Sequence, residues 1–95
     1  MSDMIDNPNL EVDMTDNFIC VLYFQDRNEI DIRNNGMDPF RIWEGLGYRA
    51  FDERIVPLIL NQLIHNNIRR KFIEFNDTTR RVLLTNEGRQ WAENL

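Results

Sequence analysis

The sequence predicts an α+β fold, mostly α. Three helices come first, then a two-stranded hairpin, then a short closing helix. Three observations carry this. Asp38-Pro39 before an apolar stretch is a helix-start signal. Ile55, Ile59 and Leu63 recur at a spacing of four, the period of one helix face. Asn76-Asp77-Thr78-Thr79 separates two short runs rich in β-branched and aromatic residues, as a hairpin turn does.

Ninety-five residues allow one small domain. A hydrophobic fraction of 42% supplies a modest core and argues against a disordered chain. No apolar run approaches the roughly 18 residues of a membrane span, so no membrane partner is expected. The N-terminus shows neither a basic segment nor a signal-type apolar core, and a cytoplasmic location is expected. Cys20 stands alone inside the run FICVLYF and reads as a small buried hydrophobe. With one histidine as well, a structural zinc site is excluded.

Charge is unevenly placed. Residues 1–31 carry eight acids against one base, a balance of −7, whereas residues 32–95 carry eight acids and ten bases, +2. The total of −5 argues against indiscriminate nucleic-acid binding. Screening limits electrostatic reach to about 8–10 Å, so a locally basic element can still attract phosphate.

Residues 1–15 are acidic and polar without period, and they predict a mobile tail ahead of a domain spanning 16–95. One functional reading is an acidic arm competing with phosphate for the domain's basic surface; the plainer one is a solubilising leader. Asp16 predicts an N-cap for a first helix reaching about Arg27, with a buried strand over FICVLYF as the alternative. Asn28 to Arg33 alternates, with Ile30 and Ile32 on one side, and predicts a short first strand closed by Asn34-Asn35-Gly36. Asp26, Glu29 and Asp31 lack calcium-loop spacing and read as a solvated acidic edge.

The second helix begins with Asp38 and Pro39 and stops at Gly47; Phe40, Trp43 and Leu46 are expected to face the core, with Ile42 beside them. Tyr48 to Phe51 reads as a connecting turn. A third helix capped by Asp52 would bury Ile55, Val56, Ile59, Leu60, Leu63 and Ile68. Pro57 conflicts with that cap, so either the first turn is distorted or the regular helix starts nearer Ile55. Asn67 is the expected left-handed stop. Arg69 to Phe75 and Arg80 to Leu84 then pair as strands, and Thr85 caps the last helix, with Trp91 anchoring it.

Helix, short strand, helix, helix and two-stranded wing in this order resembles the winged-helix domain. Ile55-Val56 with Leu60 and Leu63 looks like the frame of a recognition helix. Asn67-Ile68-Arg69-Arg70 is similar to the Gly-Leu-Ile/Val-basic step that opens the wing in regulators of the multiple-antibiotic-resistance and phenolic-acid-decarboxylase repressor classes. Leu84-Thr85-Asn86-Glu87-Gly88-Arg89 matches their Leu-Thr-x-x-Gly-Arg segment. The resemblance runs from about Asp16 to Leu95. The link from Gly47 to Asp52 is longer than the usual tight turn, and those regulators often carry long dimerising helices.

The resemblance implies a transcriptional regulator that binds double-stranded DNA, with the third helix in the major groove and the wing on phosphate. Arg54 would suit guanine, and Asn61 or Gln62 adenine. Arg69, Arg70 and Lys71 at one end of the hairpin, and Thr78, Thr79, Arg80 and Arg81 near its tip, are the candidate phosphate contacts. Charged strand residues also simply keep sheet edges soluble. A single small module buries little surface, so a homodimer is expected, using the first and last helices with Ile64 or Leu58 as further apolar contacts. The alternative is a winged-helix module that binds a protein partner, which Pro57-Leu58 and the acidic balance would suit. His65 has no serine or cysteine in a catalytic motif and no glycine-rich phosphate loop is present, so neither enzymatic activity nor a cofactor is expected.

Overall fold

The structure is a computed structural model that describes residues 8–48 and 52–95, and for residues 8–13 the helical backbone alone. Its order is α1 (Pro8–Asn28), α2 (Ile30–Asn35), α3 (Pro39–Leu46), α4 (Val56–Arg69), β1 (Ile73–Asn76), β2 (Arg81–Leu84) and α5 (Asn86–Glu93). It is an α+β arrangement, mostly helical, with one two-stranded antiparallel sheet.

α1 is the axis of the packing and touches α2, α3, α4, α5 and β2. It starts eight residues before the predicted cap at Asp16, and Met14 and Thr15, placed by sequence in the mobile tail, are buried. The reason is visible in the spacing: Met14, Phe18, Leu22 and Asp26 continue one stripe at intervals of four, straight through Asp16. Asp16 is a helix-interior residue whose carboxylate accepts from Arg70 at 2.9 Å. Residues 1–7 of the predicted tail lie outside the described residues. The run FICVLYF is helical, burying Phe18, Ile19 and Leu22, while Cys20 is only half-buried. Full burial of each such large apolar side chain stabilises the fold by about 1.5–3 kcal/mol.

The predicted first strand is instead the helix α2. Ile30 is 70% exposed and Ile32 is buried, so the two do not share a face. Two-residue alternation over six residues does not distinguish a strand from a helix, where the same pair lies about 200° apart. Asn35 donates to Asp31 one helical turn back at 2.7 Å, which favours the helix. Strand-like pairing survives one step later, at Met37, whose N–H and C=O both bond Val82 (2.8 and 2.9 Å). Gly36 makes this approach possible. It sits at φ 88°, and a Cβ there would lie 2.9 Å from the Val82 carbonyl oxygen.

α3 begins and ends as predicted. The Asp38 carboxylate accepts from the Phe40 N–H at 2.9 Å, Pro39 opens the helix, and Gly47 stops it in the left-handed conformation. Its buried face differs: Ile42 is fully buried, Trp43 and Leu46 are half-buried, and Phe40 is 52% exposed. The helix therefore commits Ile42 rather than Phe40 to the core.

In α4 the Pro57 conflict is resolved by a later start. Asp52 closes a turn, accepting from the Arg54 N–H at 2.9 Å, and the helix runs from Val56 with Pro57 in its first turn. Residues 49–51, in the predicted connecting turn, lie outside the described residues. The buried stripe is Val56, Leu60, Leu63, Ile64 and Asn67; Ile68 is exposed. Ile64, one of the two residues offered as a further dimer contact, is 8% exposed and belongs to the core.

Asn67 does not end the helix. Its side-chain amide donates to Leu63 O and Thr15 O, tying α4 to α1 in the interior. The left-handed residue is Lys71, at φ 65°, four positions on. Lys71 N–H bonds Ile68 O and Phe72 N–H bonds Asn67 O, the paired bonds of a Schellman stop. Arg69 is thus the last helical residue and Arg70 its C-cap, so neither begins a strand.

The hairpin pairs Ile73 with Leu84, Glu74 with Leu83, Phe75 with Val82 and Asn76 with Arg81. Its turn is built by Asn76, whose side-chain oxygen accepts from the N–H groups of Thr78 and Thr79. Thr85 caps α5 as predicted, accepting from Gly88 N–H at 3.0 Å while its hydroxyl donates to Lys71 O at 2.7 Å. Trp91 lies against Phe72, ring centroids 5.4 Å apart. No described helix is long and apolar enough to cross a membrane.

Candidate functional site

With one face of α4 committed to the core, the opposite face presents Leu58, Asn61, Gln62 and His65 to solvent. Beside it the hairpin tip folds over, and a cleft of about 320 Å³ opens between the start of α3, α4 and the tip. Its apolar wall includes Phe40, Pro57 and Phe75; its polar rim includes Asn61, Thr79 and Arg80. Three sequence-predicted site residues from two distant parts of the chain therefore face one volume.

Arg80 is held there by backbone geometry. It sits at φ 58° with its N–H donating to Asn76 O at 2.7 Å, and its guanidinium lies 6.0 Å from the Phe75 ring centroid. The Thr79 hydroxyl is partly occupied, accepting from Arg81 N–H at 3.3 Å. Thr78 is exposed at the tip.

The other predicted residues are placed differently. Gln62 donates to Asn66 at 2.9 Å and does not line the cleft. Arg54 precedes the helix and pairs with Asp52 at 2.8 Å. The Arg54 side chain, and then its N–H, hold the Asp52 carboxyl below its ordinary pKa, and Asp52 raises that of Arg54. Arg81 lies 3.8 Å from Asp31. Arg70 is the most committed: it pairs with Asp16, bonds Asn67, and stacks over Phe72 and Trp91 at 4.4 and 4.8 Å. It joins α1, α4 and α5 and is not presented on the hairpin.

Of the six cations that sequence assigned to the site, Arg54, Arg70 and Arg81 are ion-paired. Among the described residues, Arg69, Lys71 and Arg80 have no acid partner and remain available to an anion. Acids stand close by. Asp38 also lines the cleft, and Glu53 is exposed just before α4.

Of the acidic edge that the sequence predicts, Glu29 and Asp31 are solvent-accessible, but Asp26 is not. Asp26 is 2% exposed and receives three hydrogen bonds from Arg89, with Arg33 at 3.9 Å. Glu29 takes Arg41 at 3.0 Å. The signal for Asp26 was present in its position, four residues beyond Leu22 on the apolar stripe of α1. Arg89, in turn, closes the Leu-Thr-x-x-Gly-Arg segment, so each polar element of that motif has an internal partner here. Compared with known proteins, the chain matches no family model, no curated protein and no solved structure.

Proposed function

We propose that this chain is a winged-helix domain that binds double-stranded DNA and regulates transcription as a homodimer. The element order supports it: α1, the Met37 pairing, α3, α4 and the hairpin follow the sequence of helix, strand, helix, helix and wing. In this reading α4 enters the major groove and the hairpin lies on the phosphate backbone. The observation that carries it is the shared cleft, where Asn61 on the helix and Arg80 on the hairpin tip face the same volume. Asn61 suits an adenine edge and Arg80 a phosphate. Arg69 and Lys71, without acid partners among the described residues, add positive charge at the far end of α4.

A second reading, a module that docks on a protein, is favoured by one observation. Phe40 on α3 and Leu58 on α4 are both more than half exposed. With Asp38 and Glu53 nearby, such a surface would suit an apolar partner with basic residues.

Fluorescence anisotropy of a labelled random duplex against salt concentration separates the two. A DNA-binding domain loses affinity steeply as salt rises, and Arg80→Ala reduces the slope by about one. Absence of binding at low salt, with the protein shown to be dimeric by sedimentation, overturns the DNA reading and leaves the protein-docking one.

A further inference from the structure

The outward face of α4 has a composition that bears on which bases it could read. Leu58 is 67% exposed, opposite the buried stripe, so its side chain adds little to the core. Asn61 follows three residues later and is also exposed. Residues at that spacing are neighbours on a helix surface, with Cβ atoms roughly 5–6 Å apart. The commonest specific contact to guanine is a bidentate arginine or lysine. Between Val56 and Ile68 α4 has neither; its first cation is Arg69, the last residue of the helix. Arg54, ahead of the helix, is bound to Asp52.

In the major groove the apolar group that a base presents is the thymine C5 methyl, and the partner of an asparagine amide is the N6/N7 edge of adenine. We propose that Leu58 and Asn61 form a reader of A·T pairs, Leu58 packing on a thymine methyl and Asn61 pairing with an adenine on the same or the next base pair. This rests on the reading that α4 enters the major groove of DNA. Within that reading it gives the exposed leucine a ligand and makes A·T-containing duplex the target class.

The test uses the full chain and a pool of random 20-bp duplexes taken through rounds of selection. The best-enriched duplex is then synthesised twice, with thymidine and with deoxyuridine, which removes only the methyl groups. The expected result is enrichment of A·T pairs at the fixed positions and about four-fold weaker binding for each contacted methyl lost. Leu58→Ala, at an exposed position, should bind the two duplexes equally while keeping the wild-type circular dichroism. Equal affinity of the wild-type chain for both duplexes, or fixed positions made up of G·C pairs, overturns this inference alone. Failure to enrich any duplex overturns the DNA reading itself, and the inference with it.

Discussion

Arg89 donates to both carboxylate oxygens of Asp26, at 3.1 to 3.2 Å, across the junction of α5 and α1. Asp26 is buried, and Arg33 of α2 stands 3.9 Å from the same carboxylate. One acid thus gathers three helices. Asp26→Asn should lower stability by about 2–3 kcal/mol, because it removes charged hydrogen bonds and leaves a largely buried guanidinium without a counter-charge. Urea unfolding monitored by circular dichroism reads this as a lower midpoint at unchanged slope. A midpoint equal to the wild type would show that the junction does not depend on the pair.

Gly88 lies where α5 crosses the start of the hairpin. A Cβ there would clash with the carbonyl oxygen of Phe72, a backbone atom that cannot swing aside. Gly88→Ala should therefore cost about 1–3 kcal/mol, although alanine favours the helix. A thermal midpoint at or above the wild-type value would contradict the close approach.

Lys71 and Arg80 are the only non-glycine residues at positive φ among those described, and neither has an acid partner there. A left-handed conformation costs a side-chain-bearing residue about 1–2 kcal/mol, partly offset by the greater unfolded-state freedom of glycine. Lys71→Gly should accordingly leave stability unchanged or raise it by up to about 1 kcal/mol, while weakening duplex binding at low salt. Chemical denaturation and anisotropy on the same preparation check both signs. Loss of stability without loss of binding would assign Lys71 to the fold alone.

Burial, and then the Asp16 carboxylate, push the Cys20 thiol above its ordinary pKa. A thiol whose folded pKa is raised holds its proton more tightly in the folded state. Its contribution to stability is complete below the unfolded pKa and is lost as pH rises through that value towards the folded one. Alkylation of Cys20 by iodoacetamide at pH 8 should be several-fold slower in the native protein than in urea, since the thiolate is the nucleophile. Equal rates would mean that the thiol is neither shielded nor shifted.

What was legible in the sequence is what short-range chemistry decides. Asp38-Pro39 and Gly47 bound α3, Asn76 builds the hairpin turn, and Thr85 caps α5, each through hydrogen bonds spanning four residues or fewer. The later start of α4 was one of the two outcomes that Pro57 allowed. Residue type and position single out Asn61, Thr79 and Arg80, but their meeting in one cleft follows only from how the hairpin tip lies over α4.

The tertiary structure decided the rest, because the deciding partners are far away along the chain. Asp16 resembles a cap until Arg70, 54 residues on, takes its carboxylate and α1 continues through it. Asn67 resembles a stop until Thr15, 52 residues back, accepts its amide. Asp26 resembles a solvated acid until Arg89, 63 residues on, reaches it in the interior. A polar side chain behaves locally only when no buried long-range partner competes for it, and at these three positions one does.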